Sequence, residues 1–331
     1  MSFSVGIVGC TGAVGQEMIL VLHKRKFPLS ELHLFASERS AGKVFHTPFG
    51  EKTVEEFSVE KTKNLDFVLM AVSGDFAKQY ARDIATGKAI VIDNSSAFRL
   101  ENDVPLLCPE VNPHAAKGQK LIANPNCTTL ILAVALWPIH QNFLCKKVIV
   151  STYQATSGAG APAMDELRTE TQHFLNGESV SSKEFVHPIP FNLIPHIDSF
   201  QENGYTREEM KVTWETRKIF NEPNLPLSCT AVRIPTFRAH AESVTIETEK
   251  DISPETVREI LETSPGVDVV DDPKNLQYPM PLNASEKYNV EVGRIRQNLI
   301  FGEKGIDLFL CGDQLLKGAA LNAVQIAELF V

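Results

Sequence analysis

The sequence has none of the cysteine spacings that build a zinc centre or a redox pair. Its six cysteines form no CxxC motif and mostly lie in apolar runs. We therefore expect no metal site and, apart from Cys127, only reduced core or loop cysteines, as in the cytoplasm. Basic residues are also scarce, since 32 Lys and Arg stand against 41 Asp and Glu, a net charge of −9. This balance argues against nonspecific binding to nucleic acid or to an anionic membrane.

Long apolar runs, repeats and low-complexity tracts are absent as well. No segment is apolar over the length that a membrane span needs, and the first three residues lead straight into a predicted strand rather than a signal peptide. A chain of 331 residues with 43% hydrophobic residues is long enough for two domains with their own cores. We therefore expect a soluble cytoplasmic protein of two domains.

The amino-terminal segment has the pattern of a nucleotide-binding unit. A predicted strand at 4–8 runs into a loop that contains three glycines, and a helix-period segment follows at 17–23. Such glycines let backbone amides approach a pyrophosphate at a helix amino terminus, although three glycines also serve a simple tight turn. We expect dinucleotide contacts at Gly9, Thr11, Gly12, Ala13, Val14 and Gly15.

The end of the second predicted strand, at 32–36, bears on the choice of cofactor. NAD-specific folds usually place a carboxylate here for the ribose 2′-hydroxyl, whereas an arginine suits a 2′-phosphate. Ser37, Arg39 and Ser40 offer hydroxyls and a cation, which favours NADP. Glu38 complicates the choice, because it could repel the phosphate, bind a hydroxyl or point into solvent.

Further strands at 65–72 and 89–93, with a helix at 75–85 between them, continue the pattern of a parallel α/β sheet. Ligands of such sheets bind at the carboxyl ends of the strands. Ser73 and Arg99 follow these two strands and are placed to face a ligand, although Arg99 also fits a plain surface position.

Cys127 stands at a predicted helix start. Pro125 fits poorly inside a helix, Thr128 and Thr129 suit a helix beginning, and the apolar run at 130–136 suits a buried helix body. The unpaired amides and the dipole at a helix start favour a thiolate, which is the reactive form of cysteine. The alternative is one more small buried hydrophobe, because most free cysteines are buried and inert.

The rest of the chain predicts a second, α+β domain. A strand at 146–154 precedes a loop and a helix that ends near Phe174. Two later strands are predicted at 229–235 and 242–248, and the second alternates strictly, as in an antiparallel sheet with one wet face. The tail at 313–331 is predicted to be helical and to pack on the first domain.

Several of these motifs, in this order, resemble those of the aspartate-β-semialdehyde dehydrogenase family, and the resemblance covers essentially the whole chain. The motifs that carry it are GCTGAVG at 9–15, NSSAFR at 94–99, PNCTT at 125–129, YQATSG at 153–158, ETRK at 215–218, Arg233 with His240, and KGAALNAVQ at 317–325.

The resemblance implies an α/β fold with a Rossmann-like dinucleotide-binding domain at 1–126, completed by the carboxy-terminal helix at 313–331. Residues 127–312 would form an α+β catalytic and dimerisation domain of a homodimer. The implied reaction is the NADPH-dependent reduction of L-aspartyl-4-phosphate to L-aspartate-4-semialdehyde through an acyl thioester, with inorganic phosphate released. This step belongs to the biosynthesis of lysine, threonine, methionine and diaminopimelate.

The resemblance also implies residue roles. Cys127 is the expected nucleophile, His240 the acid/base and Gln154 the residue that orients the acyl group. Arg233 is expected to bind the substrate carboxylate, and Glu215 the ammonium unless it only pairs with Lys218 on a helix surface. The expected phosphate ligands are Arg99, Lys218 and Asn126, and further cofactor contacts are Ser73, Ser157, Gly158 and Asn322.

Other functions and some departures stay open at this point. An N-acetyl-glutamyl-phosphate reductase shares the acyl-phosphate chemistry, and a Cys–His pair also suits a thiol acyltransferase or hydrolase. A glyceraldehyde-phosphate-type dehydrogenase is disfavoured, because Cys127 lacks the flanking pattern of that family. A nucleotide sensor that has lost catalysis is a further alternative. The sequence departs from the family at Cys10, at Trp214, and at Arg238-Ala239 before His240, where Gly-His-Ser is commoner.

Overall fold

The computed structural model describes residues 2–331. It divides into two compact units, one made of the residues up to Asn126 with Gly318–Val331 and the other of Cys127–Lys317. The second unit thus reaches beyond residue 312, where the sequence pattern suggested that it ends.

The first unit contains a seven-stranded sheet in the order β3-β4-β2-β1-β5-β6-β7. Its pairs are parallel except for the hairpin of β3 and β4. This arrangement confirms the predicted Rossmann-like fold class. The strands are β1 Phe3–Val8, β2 Leu29–Ala36, β3 Val44–Thr47, β4 Gly50–Glu56, β5 Phe67–Met70, β6 Ile90–Asp93 and β7 Leu121–Ala123, and the helices are α1 Ala13–Lys24, α2 Val59–Thr62, α3 Gly74–Ala85 and α9 Leu321–Glu328.

The glycine loop between β1 and α1 requires its glycines. Gly9 has a φ of +85° and accepts a hydrogen bond from the amide of Gly12 at 3.1 Å. A Cβ on Gly15 would lie 2.4 Å from the Gly9 carbonyl oxygen and 2.7 Å from the Cys10 Cα. The first turn of α1 can therefore pack directly on the strand end only without a side chain at position 15.

The carboxy-terminal tail is helical over a shorter stretch than predicted. A π-helical turn spans Leu316–Ala320, and α9 follows, so the expected helical start at 313 is wrong. The buried Asp313 carboxylate accepts hydrogen bonds from the amides of Leu315 and Leu316 at 2.9 and 3.2 Å, which holds these residues in a turn. Within the first unit, α9 packs against α1 and β6.

The second unit contains a six-stranded mixed sheet in the order β11-β12-β13-β10-β8-β9. Its outer pairs, β8 with β9 and β11 with β12, are parallel, and the central pairs are antiparallel. The strands are β8 Cys145–Gln154, β9 Leu227–Arg233, β10 His240–Thr248, β11 Val267–Val269, β12 Val290–Gln297 and β13 Gly305–Gly312, and the helices are α4 Cys127–Phe143, α5 Ala161–Leu175, α6 Arg207–Phe220, α7 Pro254–Glu262 and α8 Pro281–Ala284.

Helix α4 covers one face of this sheet. It contacts β8, β10, β12 and β13, and α6 packs beside it and against β9. Every residue from Thr128 to Leu136 is buried, which explains the uninterrupted apolar run in the sequence. Among the described residues, no helix has both the length and the apolarity that crossing a membrane requires.

Candidate active site

Strand register brings three of the expected site residues together. The parallel pairing of β8 with β9 sets Gln154 opposite Arg233. The antiparallel pairing of β8 with β10 ends with Tyr153 opposite Ala241, so the next residues of the two strands, Gln154 and His240, are neighbours. Since residues that are opposite one another share a face of the sheet, Gln154, Arg233 and His240 lie side by side on the face that α4 covers.

Cys127 is the first residue of α4, as the sequence predicts, and it meets His240. Its Sγ lies 3.5 Å from His240 Nε2. The amide of Ala155 donates a hydrogen bond to His240 Nδ1 at 3.0 Å. Because an amide N–H can only donate, Nδ1 accepts, and the neutral imidazole carries its proton on Nε2, the atom that faces the sulfur.

His240 is held in its neutral form. The residue is completely buried, and burial together with the positive charge of Arg233 lowers its pKa to about 3, while a backbone hydrogen bond at Ala239 has a smaller opposing effect. A neutral imidazole with Nε2–H can donate a hydrogen bond to a thiolate or to an oxyanion that forms beside Cys127.

Arg233 is buried next to this pair. Its Nη1 donates to the Ala155 carbonyl at 2.7 Å, and its guanidinium lies 5.9 Å from the ring centroid of Phe185. Burial lowers the pKa of Arg233, whereas the negative charges of Glu208 and Cys127 act in the opposite direction. A buried planar cation of this kind is suited to a substrate carboxylate.

The loop at Ser157 and Gly158 lies directly against these side chains. A Cβ on Gly158 would lie 3.0 Å from Arg233 Nη1 and 3.2 Å from His240 Nε2. The sequence assigned this loop to the cofactor, and the structure shows in addition that the absence of a side chain on Gly158 lets the loop approach Arg233 and His240.

Helix α6 supplies Glu215 and Lys218, which are one turn apart on one face. Glu215 is only 1% exposed and Lys218 is half-buried. Glu215 is therefore not an exposed surface carboxylate, and its contact with the substrate ammonium stays a prediction.

The first unit holds the other expected ligands. Arg99 is buried and donates from Nε to the Asn124 carbonyl at 2.9 Å and from Nη2 to the Asn94 carbonyl at 2.8 Å, so it is not a plain surface arginine. Asn322 is also buried, and its Nδ2 donates to the Leu107 carbonyl and to Asn124 Oδ1. These contacts show Asn322 supporting the segment before Cys127.

The remaining expected contacts of the first unit differ in exposure. Asn126 and Ser40 are buried, whereas Ser37, Glu38 and Arg39 are exposed at the end of β2. Ser73 caps α3 by accepting a hydrogen bond from the Phe76 amide at 3.4 Å. The exposed Glu38 agrees with the reading in which this carboxylate points into solvent.

The cysteines other than Cys127 are all buried, and all six are reduced. Burial raises the pKa of Cys10 to about 11 and that of Cys145 to about 12. These thiols are core residues, as expected. Within residues 2–331, no group of three or more His, Cys, Asp or Glu side chains is arranged to hold a metal ion.

Sequence reasoning missed several residues that support the site. Ala239 has a φ of +66°, a left-handed conformation that favours glycine, and its amide donates to Gln314 Oε1 at 2.7 Å. Gln314 Nε2 donates in turn to Ser157 Oγ. Arg238 pairs with the buried Asp313 at 2.5 Å. These contacts join segments far apart in the chain and leave no local pattern.

The buried neutral state of His240 predicts a pH effect on stability. Its folded pKa lies below the unfolded value of about 6.5, so the stability that it contributes is complete above pH 6.5 and is lost as the pH falls toward 3, by up to about 1.4 kcal/mol per pH unit. In urea unfolding from pH 7.5 to 4.5, the free energy of unfolding of the wild type should fall more steeply than that of His240→Gln. Parallel curves would show that His240 is not buried as a neutral group.

Comparisons with known proteins agree with this geometry. The model of the semialdehyde dehydrogenase NAD binding domain matches residues 4–119, and that of the semialdehyde dehydrogenase dimerisation domain matches residues 136–317. An aspartate-semialdehyde dehydrogenase of Aquifex aeolicus is 48% identical over 100% of this chain and 98% of its own length. One from Synechocystis is 44% identical over 99% of this chain and 97% of its own.

A solved structure extends the likeness to three dimensions. The crystal structure of aspartate semialdehyde dehydrogenase II from Vibrio cholerae, complexed with ASA, has a TM-score of 0.95 and 42% sequence identity, and the match covers 100% of this chain and 98% of that one. These findings do not favour the reductase, acyltransferase, hydrolase or sensor alternatives. The chain belongs to the aspartate-semialdehyde dehydrogenase family.

Proposed function

We propose that this enzyme interconverts L-aspartyl-4-phosphate and L-aspartate-4-semialdehyde with NADPH as reductant. The observation that carries the proposal is the 3.5 Å approach of Cys127 Sγ to His240 Nε2, with the buried Arg233 on the same face. Thiol, imidazole and guanidinium supply a nucleophile, a hydrogen-bond donor and a carboxylate ligand for a small acidic acyl group. The family membership gives the reaction its substrate.

The residues act in the following order in the direction of oxidation. The Cys127 thiolate adds to the aldehyde carbon, and the neutral His240 donates a hydrogen bond from Nε2–H to the oxyanion of the thiohemiacetal that forms. A nicotinamide bound here would supply the hydride acceptor. When the carbon gives up its hydride, the oxyanion becomes the carbonyl of a thioester on Cys127. A phosphate oxygen then attacks the thioester carbon, the carbon–sulfur bond breaks, and Cys127 departs as thiolate.

Two anions need separate cations in this scheme. Arg233 would bind the substrate carboxylate bidentately, while Arg99, Lys218 and Asn126 would hold the phosphate. The burial of the Arg233 and Arg99 guanidinium groups supports these roles, because a buried cation attracts an anion more strongly than an exposed one does. Glu215, which is also buried, would receive the substrate ammonium.

The covalent role of Cys127 is tested by Cys127→Ala. We expect the variant to fold and to lose phosphate-dependent NADP reduction with aspartate semialdehyde by several orders of magnitude, because the nucleophile is missing. Cys145→Ala is the matched control, since it removes a buried thiol at the start of β8, and it should keep full activity. Turnover by Cys127→Ala at the wild-type rate would overturn the assignment.

The glycine loop and the end of β2 support NADP as the cofactor. The loop turns tightly at Gly9, and Gly12 begins α1 without a side-chain cap, which leaves backbone amides for a phosphate. Gly9, Thr11, Gly12, Ala13, Val14 and Gly15 would hold the pyrophosphate, and the exposed Ser37 and Arg39 with Ser40 would read the 2′-phosphate. Ser73, Ser157, Gly158 and Asn322 would complete the site.

Arg39→Ala tests the preference for NADP over NAD. Loss of one charge-assisted contact should weaken NADP binding by about 1.5–3 kcal/mol and leave NAD binding nearly unchanged. Lys43→Ala removes another exposed cation nearby and controls for the general loss of charge. Titration of both cofactors by fluorescence gives the two dissociation constants. Equal weakening of NADP and NAD by Arg39→Ala would show that Arg39 does not contact the phosphate.

We also propose that the enzyme is a homodimer that associates through the outer face of the six-stranded sheet. Ile149 of β8, on the face opposite Gln154, is 49% exposed, and Leu299 and Ile300 of the β12–β13 turn are 97% and 84% exposed. Exposed apolar groups of this kind are costly in a monomer and typical of an interface. The match of this unit to a dimerisation domain supports the proposal.

Ile149→Glu tests the interface. Static light scattering at micromolar concentration should give about twice the chain mass of 36.6 kDa for the wild type and about that mass for the variant, because a buried charge opposes association. Val44→Glu places the same charge at an exposed position of β3 and should leave the mass unchanged. A monomeric wild type would refute the dimer.

A further inference from the structure

The Gln154 amide contacts two buried polar side chains, and the proposed function assigns a role to neither of them. Its Nε2 donates to Thr152 Oγ1 at 3.3 Å and to Glu208 Oε1 at 3.5 Å. The exposed fractions of Gln154 and Glu208 are 1% and 6%. A carboxylate can only accept hydrogen bonds, so the end of the Gln154 amide that faces Glu208 must be the nitrogen.

Glu208 is itself anchored. Lys211 Nζ donates to Glu208 Oε2 at 3.1 Å and to Asp198 Oδ2 at 2.7 Å. Burial alone would lower the pKa of Lys211, but the charges of Glu208 and Asp198 outweigh it, and the pKa is raised. Lys211 therefore stays charged and holds the Glu208 carboxylate on the Gln154 side of α6.

We propose that Glu208 is a positioning residue that fixes the Gln154 amide with its nitrogen toward α6 and its carbonyl oxygen toward the acyl group on Cys127. The inference rests on the proposed function, and it specifies what Gln154 recognises. A carbonyl oxygen binds hydrogen-bond donors. Gln154 would thus accept a hydrogen bond from the substrate ammonium, and it would not donate to the thioester carbonyl.

Glu208→Gln tests the orientation with the smallest change of shape. A glutamine can present either an oxygen or a nitrogen to Gln154, so the amide is free to turn. We expect kcat for semialdehyde oxidation to fall by about 10- to 100-fold, the range that misplacement of a catalytic group produces, while the phosphate KM changes by less than about two-fold. Glu262→Gln, which removes an exposed charge at the end of α7, is the matched control and should leave kcat unchanged.

A double-mutant cycle separates this role from a structural one. If Glu208 acts through Gln154, Glu208→Gln should lower kcat by less than about two-fold when Gln154→Ala is already present. An equal loss of kcat in both backgrounds would overturn the inference, because Glu208 would then act through Arg233 or through the stability of α6. An unchanged kcat for Glu208→Gln in the otherwise wild-type enzyme would overturn it as well.

Glu208→Asp provides a second variant where Glu208→Gln does not fold. It keeps the charge and withdraws the carboxylate from Gln154, so the same dependence on Gln154 is expected with a smaller loss of kcat. The wild-type assay distinguishes the two proposals. If the wild type is active but the losses of kcat from Glu208→Gln and Gln154→Ala are additive, only the positioning role is contradicted. If the wild type shows no phosphate-dependent NADP reduction, both the proposed function and the positioning role are contradicted.

Discussion

The register of β8 against β9 and β10 is the constraint on which the active site depends. It sets Gln154 opposite Arg233 and brings His240 beside them on one face of the sheet. A slip of one residue would turn these side chains to the opposite face, where Ile149 is exposed. The buried face under α4 opposes such a slip, so the packing that stabilises the second unit also assembles its chemistry.

The candidate site is buried and contains few charged groups. Burial keeps His240 neutral, and the amide of Ala155 settles which nitrogen carries its proton. Arg233 is the cation next to Cys127, and the negative charge of Glu208 also acts on Arg233. Electrostatic interactions are stronger in such surroundings than in water, which supports the proposed contact of Arg233 with a substrate carboxylate. Ala239, which precedes His240, has a left-handed backbone conformation, and such strain persists only where the surrounding structure imposes it.

The elements with local signals could be predicted from the sequence, and the contacts between distant segments could not. The glycines of the first loop and Cys127 at the start of α4 follow from turn and helix-start chemistry. The support of Gln154 by Glu208 depends on the packing of α6, which no spacing encodes. Leu315 and Leu316 fit the predicted helical pattern, but the buried Asp313 carboxylate accepts hydrogen bonds from their amides and holds the chain before the π-helical turn in a turn.

The central claim, an acyl group carried by Cys127, is tested most directly by one turnover without phosphate. Wild-type enzyme mixed with aspartate semialdehyde and NADP, then quenched and digested, should yield one NADPH per active site and an acyl adduct on the peptide that contains Cys127 by mass spectrometry. Phosphate added before the quench should remove the adduct. NADPH formation without an adduct, or an adduct on another cysteine, would contradict the account.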